Sequence, residues 1–285
     1  MTAINPYATL QDVKDWLTTP GQTMTAATVD DTVIDLLLTA ASRYIDNKCG
    51  RTFYPRIETR YYDVPEGTLD DRILMLDDDL LAVTTLTNGD TTVITSADYK
   101  LYPMNFYPKY AIRLKQNSDY YWERDSNENS EGVISVLGIW GCHPNYSQLA
   151  WGVGSTLNEG GLLTAADLTW TMTAVTAFEA GQIVKIENEL CIIASVGATD
   201  IVVIKRGANG STAATHADTT AVTIWVPPDD IKQACLEITV STYKRRWGEN
   251  VSGVATVTAA GVVVTPQDVP SGARDIIASY RRVSL

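Results

Sequence analysis

The sequence is short of the residues on which most catalytic and metal sites depend. Its 285 residues include two histidines, His143 and His216, and four cysteines. The cysteines are far apart and lack the paired spacing of zinc ribbons, so we expect buried, reduced thiols and no metal. They are Cys49, Cys142, Cys191 and Cys235. Two histidines do not supply a nucleophile, base and orienting acid, so we expect neither an enzyme nor a cofactor.

Positive charge is also scarce. The chain has 22 Lys and Arg residues against 34 Asp and Glu, a formal net charge of -12. An electrostatic grip on the outside of nucleic acid is therefore not the expected main task, whereas an acidic wall past which DNA slides stays open. No segment approaches the roughly 20 apolar residues of a membrane helix, and MTAINPYATL shows no basic and apolar signal. We expect synthesis in the cytoplasm.

The sequence contains a glycine-spaced run, KRGANGSTAATH at 205–216. Such a run is either a phosphate-binding loop or a turn between two strands. A P-loop requires a Lys after its last glycine and a helix whose N-terminus faces the phosphates, and here Ser211 and Thr212 follow Gly210. The flanking runs DIVVIK and AVTIWV have the composition of strands. The run is therefore predicted to be a connection between two strands.

Local patterns predict helices near the start of the chain and strands after Arg56. TLQDVKDWL has a capping Thr9 and an apolar stripe, and a stronger helix follows from Asp30 or Asp31 to Gly50. Period-two runs begin at Arg56, with Asn88-Gly89 as a hairpin turn. The acidic run at 77–79 lacks the ligand pattern of an EF-hand and is predicted to be a solvated turn.

The second half of the chain divides into three parts. Residues 155–225 contain short Thr, Val and Gly-rich strands and are predicted to form an inserted small β domain. A helix starting at Asp229 or Asp230 is expected to pack on the helix around 34–44. A C-terminal arm is expected at about 249–285, closed by a short helix.

The inserted segment resembles a β module found repeatedly in bacteriophage virion proteins. The similarity lies in residues 180–225, where AGQIVKIENE is followed by VIKRGANGSTAATH. It implies a small β fold and no particular activity.

The rest of the chain resembles the head-tail connector family of tailed bacteriophages, also called adaptor or head-completion proteins. The matching segments are YATLQDVKDWL, LLTAASRYIDNKCGRTFYP with ETRYYDVPEG, and VPPDDIKQACLEITVSTYKRR, in that order. Residues 155–225 interrupt the usual step from ISVLGIWG to VPPDDIKQA, so the role of the insertion does not transfer.

The resemblance implies a fold class, a function and a place in the virion. The fold would be α+β, with a helical connector core at 1–154 and 226–285, a β-hairpin excursion at about 56–115, and the inserted all-β module. The protein would be a structural subunit of a homo-oligomeric ring, a dodecamer, in the virion neck between capsid and tail. It would serve genome packaging and DNA ejection.

Partners and contact residues follow from the same resemblance. The partners would be other copies of the chain, the portal protein, a tail-side neck or tail terminator protein, and double-stranded DNA passing without sequence specificity. A portal or neighbouring subunit would be contacted by Ile276, Ile277, Tyr280, Arg281 and Arg282. Cations on the DNA channel or the outer surface would be Lys244, Arg245 and Arg246, which also suit the negative end of their helix.

A second class of function stays open at this stage. The inserted domain could make the protein a virion binding module that recognises a host glycan or another virion protein. Trp151, Trp170 and Trp225 would then be the platforms on which sugars stack, although tryptophans at module boundaries also serve as core packing.

Overall fold

The computed structural model describes residues 2–18, 30–66, 70–246 and 269–282, and the backbone of two short strands at 256–257 and 263–264. Helices in these ranges are α1 (Leu10–Leu17), α2 (Asp31–Cys49), α3 (Tyr146–Leu149), α4 (Asp229–Arg246) and α5 (Ser271–Ser279). The strands are β1 (Arg56–Tyr62), β2 (Ile73–Thr87), β3 (Val93–Ile94), β4 (Tyr99–Tyr102), β5 (Lys109–Leu114), β6 (Ile134–Trp140), β7 (Trp151–Thr156), β8 (Thr169–Thr171), β9 (Ile183–Ile186), β10 (Glu189–Val196), β11 (Asp200–Val203), β12 (Ala221–Trp225), β13 (Thr256–Val257) and β14 (Val263–Val264).

The chain is mostly β, and the expected α+β fold with a helical connector core is wrong. The described residues form two antiparallel sheets of six strands each and a separate two-stranded pair of β13 and β14, beside one cluster of helices. The region expected to be a hairpin excursion buries a hydrophobic core of its own, because its period-two runs place one face of each strand inward. A sheet that encloses its own hydrophobic core is an independent part of the fold and not an excursion from a helical core.

The first sheet is organised by the long strand β2. Its strand order is β1-β6-β2-β5-β4, with β3 also paired to β2. The C-terminal half of β2 pairs with β6 and its N-terminal half with β5, and the register shifts between Met75 and Leu80. The turn at Asn88-Gly89 joins β2 to β3 in a hairpin, as predicted. The sheet encloses a core that includes Leu86, Ile112 and Trp140.

The second sheet has the order β7-β12-β9-β10-β11-β8 and contains the predicted inserted strands. It runs from Trp151 to Trp225, four residues earlier than the expected boundary. One face buries Trp170, Val184, Cys191 and other apolar side chains. Independent folding of residues 155–225 stays a prediction.

The helices α1, α2, α4 and α5 share one hydrophobic core with the N-terminal segment. Thr9 caps α1 as predicted and forms a capping box with Asp12, because the two residues exchange side-chain and backbone hydrogen bonds at the start of the helix. Gly50 ends α2 in the left-handed conformation. The predicted packing of α2 on α4 is confirmed. In the part of the chain that the structure describes, no helix has both the length and the apolar character that a membrane crossing requires.

A fourth group of buried side chains joins the two sheets. Leu81 comes from the first sheet and Ile183, Leu190 and Ile192 from the second. Trp225 lies among them, and its indole N–H donates a hydrogen bond to the carbonyl of Phe53 (3.1 Å). The second sheet is therefore packed against the rest of the protein through an apolar base.

Candidate interaction surface

The loop between β4 and β5 is held by the side chain of Lys109, the first residue of β5. Its ammonium donates to the carbonyls of Pro103 (2.6 Å), Met104 (3.1 Å) and Phe106 (2.8 Å). It also lies 4.1 Å from the centroid of the Tyr107 ring. Lys109 is 4% exposed, and burial lowers its pKa. Three hydrogen bonds from one buried group fix the loop before any partner binds.

The same loop turns large apolar side chains outward. Met104 is 56% exposed and Phe106 is 62% exposed. The ring of Tyr107 packs against Tyr146 of α3, with 5.4 Å between centroids, and Leu149 at the end of α3 is exposed. The loop and α3 therefore form one area, which we call the uncharged surface and define as residues 103–108 and 144–149.

Charged residues are absent from two long stretches that supply this surface. Residues 101–108 and 132–158 contain no Asp, Glu, Lys or Arg, in a chain whose net charge is -12. The flanking cation, Lys109, points inward to the loop carbonyls. Protein interfaces are depleted of charge at their centre and enriched in aromatic residues and Met. The uncharged surface has this composition, and Asp229 and Asp230, which line a hollow together with Pro144 and Leu149, lie at its edge.

Aromatic packing supports the surface from below. Tyr146 contacts Trp225, which in turn packs edge-on against Trp151 with 5.0 Å between ring centroids. The ammonium of Lys185 lies 4.2 Å from the centroid of the Trp151 ring. Since Trp225 is buried in the base between the sheets, α3 rests on a rigid foundation.

The burial of two tryptophans corrects the idea of a sugar-stacking platform. Trp170 is fully buried in the core of the second sheet, and Trp225 is 3% exposed. A sugar stacks on an exposed ring face, so neither residue can serve. Trp151 is partly exposed and carries Lys185 over its ring.

The predicted contact residues of α5 lie at the edge of the helical core. Ile277 is buried there, and Ile276 and Tyr280 pack partly against it. The Tyr280 ring stands edge-on to Phe53, with 5.2 Å between centroids. Arg281 is exposed.

Arg282 has partners within the chain. Its backbone N–H donates to the carbonyl of Cys49 (2.7 Å), and its guanidinium lies 3.4 Å from a carboxylate oxygen of Asp78. In the described chain, α5 thus docks on its own subunit. Contact of its residues with a portal or a neighbouring subunit stays a prediction.

The predicted cations, Lys244, Arg245 and Arg246, are the last residues of α4. Lys244 and Arg245 are partly exposed, and Arg245 donates to the hydroxyl of Thr242 (3.4 Å). The side chain of Arg246 lies outside the described residues. Their contact with DNA stays a prediction.

Cys142 and His143 do not form a nucleophile and base. The Sγ of Cys142 lies 3.9 Å from a guanidinium nitrogen of Arg51. His143 accepts from the backbone N–H of Asn145 at Nδ1 and bonds the carbonyl of Val226 through Nε2. Burial lowers the pKa of His143 and raises that of Cys142 to about 12. The prediction of four buried thiols is confirmed.

The glycine-spaced run is a connection between β11 and β12, as predicted, and it is built around the carboxylate of Glu189. Arg206 donates to it from Nε and Nη2, both at 2.8 Å. His216 Nε2 lies 2.9 Å from it, and the backbone N–H groups of Gly207 and Ala214 donate at 2.9 and 3.0 Å. The loop thus binds a carboxylate of its own chain where a P-loop would bind phosphate.

The electrostatics of Glu189 follow from its donors. Burial raises its pKa, but the hydrogen bonds from Arg206, His216 and the two backbone N–H groups outweigh this and lower it to about 2. Glu189 is 1% exposed. The carboxylate is therefore charged, and both of its oxygens accept hydrogen bonds from groups of the same module.

Gly210, in the same connection, approaches the first sheet closely. It has φ +82°, and a Cβ there would lie 2.1 Å from the carbonyl oxygen of Ile57. The preceding residue, Asn209, accepts a hydrogen bond from the N–H of Ile57 (2.8 Å). The connection therefore also covers the edge of β1.

The acidic run at 77–79 is part of β2, so the predicted solvated turn is wrong. Asp79 is buried and accepts from Arg51 at 2.7 Å to both oxygens. Asp78 pairs with Arg56 (2.6 Å) and Arg60 (2.7 Å). Within the described ranges no cluster of His, Cys, Asp or Glu is arranged to hold a metal ion.

Comparison with known proteins gives no relative: no family model, no curated protein and no solved structure matches the chain.

The pattern of the sequence did not indicate the uncharged surface. The strands β4 and β5 agree with the period-two runs predicted after Arg56, but the residues between them, PMNFYP, have no motif. The signal that could have found it is the lack of charge over 101–108 and 132–158 in an acidic chain.

Proposed function

We propose that the protein is a structural subunit of a bacteriophage virion that assembles, in about twelve copies, into a ring between the capsid portal and the tail. The ring would let double-stranded DNA pass through it, and the subunit would carry out no catalysis. The proposal starts from the connector-like segments of the sequence, which follow one another along the chain as in that family. They are 7–17, 37–55, 58–67 and 226–246.

The observation that carries the proposal is the uncharged surface. Its loop is fixed from within by Lys109, and it exposes Met104 and Phe106. Exposing such side chains in a rigid loop is costly in water and is favourable when a partner covers them. Covering this surface is what assembly into a ring would do.

The polar chemistry of the described residues also supports an assembly role. Glu189, Arg206 and His216 bond to each other and to the loop that contains them. The glycine-spaced run therefore has a structural purpose within one module, and its donors are not available to a nucleotide.

The acidity of the chain suits a conduit better than a DNA clamp. A net charge of -12 opposes tight binding to phosphates, and a channel through which a genome moves must release it readily. We therefore expect weak, salt-insensitive contact with DNA.

The mass of the full-length protein in native mass spectrometry, alone and mixed with portal protein, tests the proposal. A single closed oligomer, formed alone or on the portal, is the expected result. A monomer under both conditions contradicts it. A stable monomer that binds glycans on an array would instead favour the binding-module alternative.

A further inference from the structure

The second copy that meets the uncharged surface has a suitable place to receive it. A shallow hollow lies between the first turn of α1 and the strand β10. Its apolar lining is Leu10, Phe178, Ala180, Ala194 and Val196. Ser195 lies on its exposed rim.

The hollow is nearly free of charge as well. Glu179 is the charged residue in its lining, and the carboxylate of Glu179 accepts a hydrogen bond from the hydroxyl of Thr9. Thr9 in turn caps α1, so Glu179 is held by the chain's own framework. The carboxylate of Glu179 thus keeps a hydrogen bond to Thr9 when an apolar side chain enters the hollow, which limits the cost of removing water from it.

Charge decides which partner these two surfaces fit. Two copies of the chain, each at -12, repel one another wherever acidic side chains face each other. A contact between identical acidic subunits is therefore favoured where both sides lack charge. A basic partner protein would be attracted to the acidic parts of the surface, so a lack of charge on both contacting areas fits a second copy best.

Symmetry gives the outcome of such a contact. The uncharged surface and the hollow have no residue in common. When one patch binds a different patch on the next copy, the contact is head-to-tail and generates a ring if the rotation closes. One protruding loop and one hollow per subunit meet this requirement.

We propose that Phe106 of one copy inserts into the hollow lined by Leu10, Phe178 and Val196 of the next copy, and that this contact builds the ring. The inference rests on the proposed function. It adds the partner, a second copy of this chain, and the two surfaces that meet.

Cysteine crosslinking tests the proposal on the full chain, with portal protein added if the ring forms only there. The variants are Phe106→Cys, Ser195→Cys and the double variant; the native thiols are buried, so the new ones react first. Under mild oxidation the double variant should give a ladder of covalent multimers. A mixture of the two single variants should give covalent dimers, and each single variant alone should give none.

Two controls separate this contact from chance collisions. Leu162→Cys places a thiol on another exposed apolar residue, and paired with Ser195→Cys it should give no ladder. Phe106→Asp should weaken self-association at least about tenfold while leaving the melting temperature of the subunit unchanged. Leu162→Asp should leave self-association unchanged.

The other outcomes overturn the proposal in distinct ways. A ring that forms without the crosslink, or that tolerates Phe106→Asp, refutes the contact and leaves the proposed function standing. Self-crosslinking of Phe106→Cys alone shows a symmetric dimer contact and also refutes it. A protein that stays monomeric with and without portal refutes both the contact and the proposed function.

Discussion

Removing the charge of Glu189 is the most informative single perturbation of the fold. Glu189→Gln keeps the shape of the side chain but no longer neutralises Arg206, whose side chain is 4% exposed. His216 Nε2 also loses its charged partner. The change therefore leaves a buried guanidinium without a counter-ion, in the middle of the connection at 204–220.

The expected magnitude follows from the geometry of the pair. Breaking one side of a buried, hydrogen-bonded ion pair costs about 3 to 5 kcal/mol. Gly207 and Ala214 donate to different oxygens of the carboxylate, so the amide NH2 of Gln leaves one of these backbone N–H groups without an acceptor, and the loss falls toward the upper end of that range. For a protein of this size it corresponds to a fall in melting temperature of about 10 °C.

Urea unfolding followed by circular dichroism measures the free energy, and hydrogen exchange over 204–220 localises the effect. The exposed residue Glu131 gives the matched control, and Glu131→Gln should change stability by less than about 0.5 kcal/mol. Glu189→Gln combined with Arg206→Met should cost clearly less than the sum of the single changes. A cost below about 1 kcal/mol for Glu189→Gln would refute the reasoning.

Three further predictions concern pH, packing and reactivity. Because the pKa of Glu189 is lowered from 4.5 to about 2, its stabilisation is complete above 4.5 and is lost as pH falls through 2, so Glu189→Gln should flatten the acid unfolding curve in that window. Leu38→Ala, at a fully buried position of α2, should cost about 2 to 5 kcal/mol in chemical denaturation, and Leu36→Ala, at an exposed one, under about 0.5. Equal losses of stability for the two variants would contradict the assignment of Leu38 to the buried face of α2 and Leu36 to its exposed face. Burial raises the pKa of Cys191 to about 12, so native protein should resist a thiol reagent and react only on unfolding; fast native labelling of Cys191 would contradict its burial.

Local signals in the sequence were sufficient for individual elements. Thr9, Gly50 and Asn88-Gly89 act through neighbours within four residues, so their roles as cap, helix end and turn could be predicted. The connection at 205–216 could be predicted because its flanks are strands. In each case the interaction that decides the local structure joins residues that are close together in the sequence.

Interactions between distant residues explain what could not be predicted. A run of three acidic residues predicts that Asp79 is solvated, but the side chain is buried and pairs with Arg51, which is 28 residues away in the sequence. The inward direction of Lys109, which orders the loop that carries Phe106, has no local signal either.

The apolar base of the second sheet divides the module into two regions with different freedom to vary. At the base, a side chain on Gly210 would collide with the carbonyl of Ile57, and Ile192 and Trp225 are buried against the first sheet. At the far turn, Gly160 and Gly161 have open space where a side chain would be. A side chain is therefore accommodated at Gly161, whereas at Gly160, with φ +67°, it would be strained despite the open space, and at Gly210 it would collide. A foreign epitope displayed from that turn would leave the join to the subunit untouched.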